Sequence, residues 1–88
     1  KMKDLILGAD VYLATTKETF GIQTLEALAS GVPVLGFRWG GTADLIEHER
    51  NGYLVEPGDL DGLLEGLAYI RHNRIRMSKD ALESARAY

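Results

Sequence analysis

Residues 21–37 read GIQTLEALASGVPVLGF, and this stretch predicts a helix that is followed directly by a buried strand. The helical part, 21–30, carries apolar residues at helical spacing, namely Ile22, Leu25 and Ala29. Gly31 and Pro33 are typical of residues that end a helix. The strand part, 32–37, is a nearly continuous apolar run, which favours a strand buried on both faces. A helix joined to a buried strand by so short a connection is typical of an α/β fold.

Two more strands are predicted, one on each side of this stretch. Residues 11–14, VYLA, predict the first strand, and residues 53–55, YLV, predict the third strand after an Asn51-Gly52 turn. Residues 1–10 have the pattern of the end of a helix that has already begun, and they lack the apolar core segment of a signal peptide. We therefore expect the chain to be an excised fragment of a longer protein.

Further helices are predicted after the second strand. Thr42 can cap a short helix that ends at Ile46, with Asp44 in its first turn. Asp59 caps a longer helix with an apolar stripe, which consists of Leu60, Leu63, Leu64, Leu67 and Ile70. Each glycine inside this helix is expected to cost about 1 kcal/mol relative to alanine. A last helix over residues 74–88 has a thinner stripe, which consists of Ile75, Leu82 and Ala85.

The alternation of strands and helices predicts the fold class. It indicates an α/β fold, a three-layer Rossmann-like half-domain in which a short parallel sheet of about three strands is flanked by helices. We expect residues 1–88 to form half of a larger nucleotide-binding domain. Ligands in such sheets bind outside the carboxyl ends of the strands, which places the candidate site in the loops after Ala14, Phe37 and Val55.

Composition excludes several classes of protein. The chain has 88 residues, a net charge of −3 and no cluster of basic and aromatic side chains, so no nucleic-acid partner is expected. It has no cysteine, which excludes a disulfide framework and a zinc–thiolate site and fits the cytoplasmic location that we predict. Its apolar runs are far too short to span a membrane. The Ser-His-Asp, P-loop and dinucleotide-binding patterns are also missing.

Two glutamates flank the predicted start of the first complete helix. Glu18 lies in the loop that follows the first strand, and Glu26 lies in the second turn of the helix, so both can border one crevice. Between them, the glycine of Phe20-Gly21-Ile22 allows a ligand to approach the backbone amides at the positive end of the helix dipole, which suits a phosphate. Thr24 can add a hydroxyl donor. Carboxylates beside a phosphate site accept hydrogen bonds from hydroxyls, such as those of a ribose and a hexose.

This region resembles a known family. Residues 17–34, KETFGIQTLEALASGVPV, are similar to the E-x7-E region of the retaining glycosyltransferases of family 4, also called group 1 glycosyltransferases. GG and DLI within 40–46, NGYLV at 51–55 and PGD at 57–59 are similar to the rest of that family's donor-domain signature. The resemblance covers about residues 5–86. It implies the GT-B fold of two Rossmann-like domains, with residues 1–88 as the C-terminal half of the nucleotide-sugar-binding domain.

The resemblance also implies roles for the side chains of the E-x7-E region. Glu18 would contact the hydroxyls of the transferred sugar and is the candidate catalytic residue. Thr24 and Leu25 would contact the pyrophosphate of the donor. Glu26 would accept hydrogen bonds from the ribose hydroxyls.

The resemblance further implies roles for backbone amides and a course for the reaction. Phe20, Gly21 and Ile22 would present backbone amides to the sugar and the phosphates. The parent enzyme would transfer a sugar from a nucleotide-diphosphate sugar with retention of anomeric configuration, without a cofactor and without an obligatory metal. The acceptor domain and the Arg and Lys pair that neutralises the leaving diphosphate would lie outside this chain, so the isolated chain is expected to be inactive.

Several alternatives stay open at the level of sequence. The chain can be a non-catalytic nucleotide-sugar-binding or scaffolding domain, or a relative of the sugar-nucleotide 2-epimerases. Arg38 can face a phosphate or stack on Trp39. His48, between two glutamates, is expected to lie in a solvated turn and not in a metal site. Half of a doubly wound domain leaves its first strand at an edge, so we also expect the isolated chain to self-associate.

Overall fold

Three parallel strands form the sheet of the computed structural model, which describes residues 11–17 and 20–87. The strands are β1 (Tyr12–Ala14), β2 (Val34–Phe37) and β3 (Gly52–Val55), in the order β1-β2-β3. The apolar runs predict all three strands, but β1 begins one residue later than predicted, β2 begins two residues later, and β3 begins one residue earlier. Among the described residues β1 and β3 are the edge strands. The helix end predicted over residues 1–10 lies outside the described residues.

Side chains of the sheet alternate between two buried layers. Tyr12 and Val34 pack into one hydrophobic cluster, whereas Leu35 and Val55 pack into another on the opposite face. Because both faces are covered, the strands are apolar at nearly every position and do not alternate between apolar and polar residues. The same two clusters confirm the predicted three-layer arrangement.

Helices cover each face of the sheet. On one face lie α1 (Ile22–Ala29) and α2 (Gly40–Leu45), and on the other lies α3 (Leu60–His72). The last helix, α4 (Arg74–Ala85), begins beside α3 and continues to α1: its Met77 belongs to the α3 layer and its Ala81 to the α1 layer. No helix of the described ranges is long and apolar enough to cross a membrane.

The buried face of α1 differs from the predicted one. Thr24, Ala27 and Leu28 are its buried residues, and Ile22 is 62% exposed. Ile22 is in the first turn, at the end of the helix where the loop from β1 arrives. Small side chains at positions 24 and 27 allow the helix to approach the sheet closely, so the apolar spacing of the sequence indicated the wrong side.

The short helix α2 begins three residues earlier than predicted. Its N-cap is Trp39, so Thr42 is not a cap but a buried residue inside the helix, and Asp44 lies outside the first turn. Gly40 has a φ of 59°, a left-handed conformation that a glycine adopts easily, and this allows the chain to enter the helix directly after β2.

Only part of the predicted leucine stripe of α3 is buried. Leu60 and Leu64 are 69% and 68% exposed, because the face that meets the sheet carries Gly62, Gly66 and Ile70. A Cβ at Gly66 would lie 2.5 Å from Leu35 Cδ1 and 2.6 Å from Tyr53 Cδ1. The two glycines are therefore what allows α3 to lie close to β2 and β3.

The predicted stripe of α4 is also largely wrong. Met77 and Ala81 are its buried residues, Ala85 packs at the edge of the α1 layer, and Ile75 is 77% exposed. Leu82 is partly covered, and it lies against Gly31, where a Cβ would be 3.3 Å from Leu82 Cγ. The buried side thus carries one large residue, Met77, in the α3 layer and one small residue, Ala81, in the α1 layer.

Candidate functional site

The loops that follow the three strands lie together at the carboxyl ends of the strands, as expected for a parallel sheet. The loop after β1 leads to Gly21 and α1, the loop after β2 contains Arg38 and Trp39, and the loop after β3 spans residues 56–59. Glu18, the predicted catalytic residue, lies outside the described residues. Its role therefore stays a prediction.

The N-terminus of α1 presents backbone amides without a side-chain cap. Gly21 is the N-cap residue, with a φ of 66°, and it has no side chain that could bond to the first amides of the helix. The first amides of a helix have no partner within the helix and carry its positive partial charge. Phe20 and Ile22 on either side are 79% and 62% exposed. This arrangement is suited to an anionic group, as predicted from the residue types of this stretch.

Gly21 is in direct backbone contact with the first turn of α2. A Cβ at Gly41 would lie 2.3 Å from the Gly21 nitrogen and 2.5 Å from the carbonyl carbon of Phe20. A Cβ at Gly21 would in turn lie 2.9 Å from the carbonyl carbon of Gly41 and 3.0 Å from Leu45 Cδ1. Real Cβ atoms essentially never approach other atoms this closely, so both positions require glycine. Gly41, the second glycine of the predicted Gly40-Gly41 pair, thus packs directly against the start of α1.

Thr24 lies in the first turn of α1 and is 1% exposed. Its Oγ1 is 3.2 Å from Oγ1 of Thr42, which is also 1% exposed, and either hydroxyl can be the donor. The predicted contact of Thr24 with a pyrophosphate stays a prediction. Thr42 has no role in the sequence analysis beyond a cap, and only its place directly after two glycines could have indicated one.

Glu26 lies two residues after Thr24, on the exposed part of α1. Among the described residues its carboxylate has no ion-pair partner, and its backbone carbonyl accepts a hydrogen bond of 3.1 Å from Ser30 Oγ. Leu25 beside it is half-buried. The carboxylate is thus free to accept hydrogen bonds from a ligand, which is the role that the resemblance implies.

Arg38 is paired with an acid and does not stack on Trp39. Its Nε donates a hydrogen bond of 3.0 Å to Oε2 of Glu56, which joins the loops after β2 and β3. Trp39 instead packs edge-on against Phe37, with ring centroids 5.6 Å apart. The Nε1 of Trp39 is buried and has no hydrogen-bond partner in the described part of the chain.

At the amino ends of the strands, polar side chains form hydrogen bonds that stabilise the fold. Asn51 is fully buried, accepts from the Glu47 amide at 2.7 Å, and donates to the Leu45 carbonyl at 3.2 Å and to Ser84 Oγ at 2.9 Å. The residue predicted to be only part of a turn therefore joins α2, the following turn and α4. The Asn-Gly pair indicates the turn, but nothing in the sequence indicates the partner in α4.

His48 is likewise not simply solvated. Its Nδ1 accepts a hydrogen bond of 3.0 Å from the Leu54 amide, and its ring lies 4.4 Å from that of Tyr53. Burial raises the pKa of the Tyr53 phenol above its ordinary value, and the charges of Glu65 and Glu49 add to that rise in pKa. No group of three or more His, Cys, Asp or Glu residues in the described ranges could hold a metal ion.

Known proteins resemble most of the chain. The sequence profile of the family described as Glycosyl transferases group 1 matches residues 1–88. The N-acetyl-alpha-D-glucosaminyl L-malate synthase of Bacillus anthracis is 45% identical over 64 residues, which cover 73% of this chain and 16% of that protein. The D-inositol 3-phosphate glycosyltransferase of Corynebacterium glutamicum strain R is 35% identical over 81 residues, which cover 89% of this chain and 19% of that protein.

Solved structures agree with the sequence comparisons. The crystal structure of Anabaena Alr3699/HepE in complex with UDP matches with a TM-score of 0.79 and 28% identity, over 89% of this chain and 23% of that chain. The complex of the same protein with UDP-glucose matches with a TM-score of 0.72, at the same identity of 28% and the same coverage of 89% and 23%. The chain therefore spans less than a quarter of the length of these relatives, at 16%, 19% and 23%.

Proposed function

The chain belongs to the family of glycosyl transferases group 1, and on that premise we propose that it is the C-terminal half of the donor-binding domain of a retaining glycosyltransferase. In this proposal the full-length protein transfers a sugar from a nucleotide-diphosphate sugar to an acceptor. The chain covers only 16% of the malate synthase relative and 23% of the Anabaena structure, which supports assigning the acceptor domain to sequence outside it. The isolated chain is expected to be inactive for that reason.

The arrangement at the start of α1 supports this proposal independently of family membership. The uncapped N-terminus of α1 opens at the edge where β1 ends, and the free carboxylate of Glu26 lies in the next turn of the same helix. An anion-binding end and a hydrogen-bond acceptor one turn apart suit a nucleoside diphosphate, whose phosphates and ribose hydroxyls are adjacent. The solved relative that binds UDP and UDP-glucose supports a uridine nucleotide as the first donor to test.

In this proposal each group at the start of α1 has its own role. The amides of Phe20, Gly21 and Ile22 bind the phosphates and the sugar, and Glu26 accepts hydrogen bonds from the ribose. Thr24 and Leu25 contact the pyrophosphate, which for Thr24 requires that its hydroxyl, covered in the present structure, turns toward the ligand. Apart from the Thr24 hydroxyl, the binding groups lie on or directly before a helix that packs against the sheet, so they are held in place before the donor arrives.

The reaction places negative charge where this helix can stabilise it. Bond cleavage leaves the nucleoside diphosphate with a developing charge, and the positive end of α1 favours that charge more strongly in the transition state than in the donor. Glu18 contacts the hydroxyls of the transferred sugar in this proposal and is the candidate catalytic residue. Attack on the face that the leaving phosphate vacates retains the anomeric configuration. The family resemblance supports the absence of a cofactor and of an obligatory metal.

Labelled transfer tests the proposal. The full-length protein is incubated with radiolabelled UDP-glucose and its GDP and ADP analogues, and the anomeric configuration of the product is determined by NMR. We expect transfer from one of these α-linked donors to an α-linked product, a strong loss of transfer for Glu18→Gln, and no transfer by residues 1–88 alone. A β-linked product would contradict retention, and unchanged transfer by Glu18→Gln would contradict its catalytic role.

Absence of any transfer or binding by the full-length protein would favour the scaffolding alternative. In that case the amides at the start of α1 would not form a nucleotide-binding site. Binding without transfer would instead favour a nucleotide-sugar-binding domain that has lost its chemistry.

A further inference from the structure

We infer that Gly41 and Thr42 are positioning residues of the donor site, because the first turn of α2 holds the start of α1 at two adjacent points. The inference rests on the proposed function, and it assigns a role to α2, which contributes no ligand contact in that proposal. Both points lie directly behind the amides that would bind the phosphates.

The first point is the backbone contact between Gly41 and Gly21. A Cβ at position 41 would lie 2.3 Å from the Gly21 nitrogen and 2.8 Å from the Gly21 Cα. The atoms it would meet are backbone, so they cannot move aside as the end of a flexible side chain can. Any side chain at position 41 must therefore displace the Phe20–Gly21 segment that would contact the donor.

The second point is the hydroxyl pair of Thr42 and Thr24, one turn further along α1. The two Oγ1 atoms are 3.2 Å apart and both residues are 1% exposed. Thr42 is also packed against the end of the sheet, since a Cβ at Gly36 would lie 3.0 Å from Thr42 Cγ2 and 2.7 Å from the Ala14 carbonyl oxygen. Thr42 thus connects the first turn of α1 with the carboxyl end of β2.

The hydrogen-bonding capacity of the two hydroxyls suggests a role for Thr42. Each hydroxyl has one proton and can also accept hydrogen bonds, and the pair makes a single hydrogen bond. If Thr42 donates to Thr24, the proton of Thr24 is free to turn toward a phosphate oxygen of the donor. The geometry therefore suits Thr42 as the group that orients Thr24 and fixes the first turn of α1, with no contact of its own to the ligand.

Nucleotide affinity tests this role, with the full-length protein titrated by calorimetry. The ligands are whichever of UDP, GDP and ADP the wild type binds, and the corresponding monophosphate. We expect Thr42→Val, which keeps the shape but removes the hydroxyl, to weaken diphosphate binding by about tenfold while changing monophosphate binding much less. Thr42→Ser, which keeps the hydroxyl, should restore the wild-type ratio of the two affinities.

Gly41→Ala and a matched glycine control test the first point. Gly41→Ala should weaken diphosphate binding by about tenfold or more. Gly66→Ala introduces a comparably close contact on the other face of the sheet, and it should leave nucleotide affinity unchanged even if the melting temperature falls. If Thr42→Val does not fold, the double-mutant cycle of Thr42→Ala with Thr24→Ala, both of which remove the hydroxyl, reports the same coupling.

The outcomes separate this inference from the proposed function. A wild-type protein that binds no nucleoside diphosphate contradicts the proposed function, and the positioning role falls with it. A wild type that binds, together with Thr42→Val and Gly41→Ala variants of unchanged affinity ratio, contradicts the positioning role alone. Equal losses for diphosphate and monophosphate would indicate a general structural role and would also overturn the inference.

Discussion

At the scale of single residues, buried polar groups explain features that the sequence could not predict. Asn51 uses both ends of its amide to satisfy the Glu47 amide, the Leu45 carbonyl and the Ser84 hydroxyl. The Asn-Gly turn could be predicted because those residue types favour turns. The bond to Ser84 could not, because it joins positions that are distant in sequence and depends on where α4 packs.

Asn51→Ala should therefore destabilise the protein strongly. The substitution removes three hydrogen bonds of a fully buried side chain, and only the Ser84 hydroxyl keeps another, to the Ala81 carbonyl, so we expect the free energy of unfolding to fall by roughly 3 kcal/mol. Asn73→Ala is the matched control, since among the described residues the Asn73 side chain donates one hydrogen bond, to the Tyr69 carbonyl at 2.8 Å, and its loss should cost about 1 kcal/mol. Urea unfolding measures both values, and equal losses would contradict the role of Asn51.

Tyr53 gives a pH-dependent prediction. Its raised pKa means that the folded protein keeps the phenol proton at a pH where the unfolded chain, with a pKa near 10.0, has lost it. Raising the pH through that range therefore favours the unfolded state. We expect the free energy of unfolding to fall above a pH of about 10, and Tyr53→Phe to make this fall shallower. Identical pH profiles for the two proteins would contradict the assignment.

At the scale of elements, each buried helix face combines small residues with one large apolar side chain, which is Leu28 in α1, Ile70 in α3 and Met77 in α4. Apolar spacing predicted the existence of α1, α3 and α4 correctly but indicated wrong or incomplete buried faces. Large leucine and isoleucine side chains are the usual mark of a core, whereas here the helices approach the sheet and one another closely. Such close approach depends on the distances between elements, which a single sequence does not contain.

Gly66→Ala tests the close packing of α3. Alanine is a better helix former than glycine by about 1 kcal/mol, so a helix without close contacts would be stabilised. The contacts with Leu35 and Tyr53 reverse that sign here, and we expect a net loss of roughly 1–3 kcal/mol. Ala68→Gly, at an exposed position of the same helix, should cost about 1 kcal/mol through propensity alone. A stabilising Gly66→Ala substitution would contradict the packing of α3.

Leu63 and Leu64 form a second matched pair on α3. Leu63 packs against the core cluster of its layer, whereas Leu64 is exposed. Leu64→Lys should change the free energy of unfolding by less than about 0.5 kcal/mol, and Leu63→Lys should cost several times more. Thermal unfolding of the two variants compares them directly. Equal losses would mean that Leu64 belongs to the core after all.

At the scale of the whole molecule, the fold and the family were predictable and the supporting structure of the site was not. The order of strands and helices follows from apolar runs and turn residues, and the resemblance of residues 17–34 indicated the family that the chain matches over residues 1–88. The contacts of Gly41 and Thr42 join α2 to the start of α1, and only the fold brings these two helices together.

The measurement that tests the central claim most directly is a calorimetric titration of UDP into the full-length protein and its Glu26→Ala and Glu65→Ala variants. Both glutamates are exposed helix residues, but Glu65 lies on α3, on the other face of the sheet. The account predicts that the wild type and Glu65→Ala bind UDP equally, and that Glu26→Ala binds about tenfold to a hundredfold more weakly, because a charged hydrogen-bond acceptor is lost. Equal affinity of all three proteins would contradict the placement of the donor ribose at Glu26.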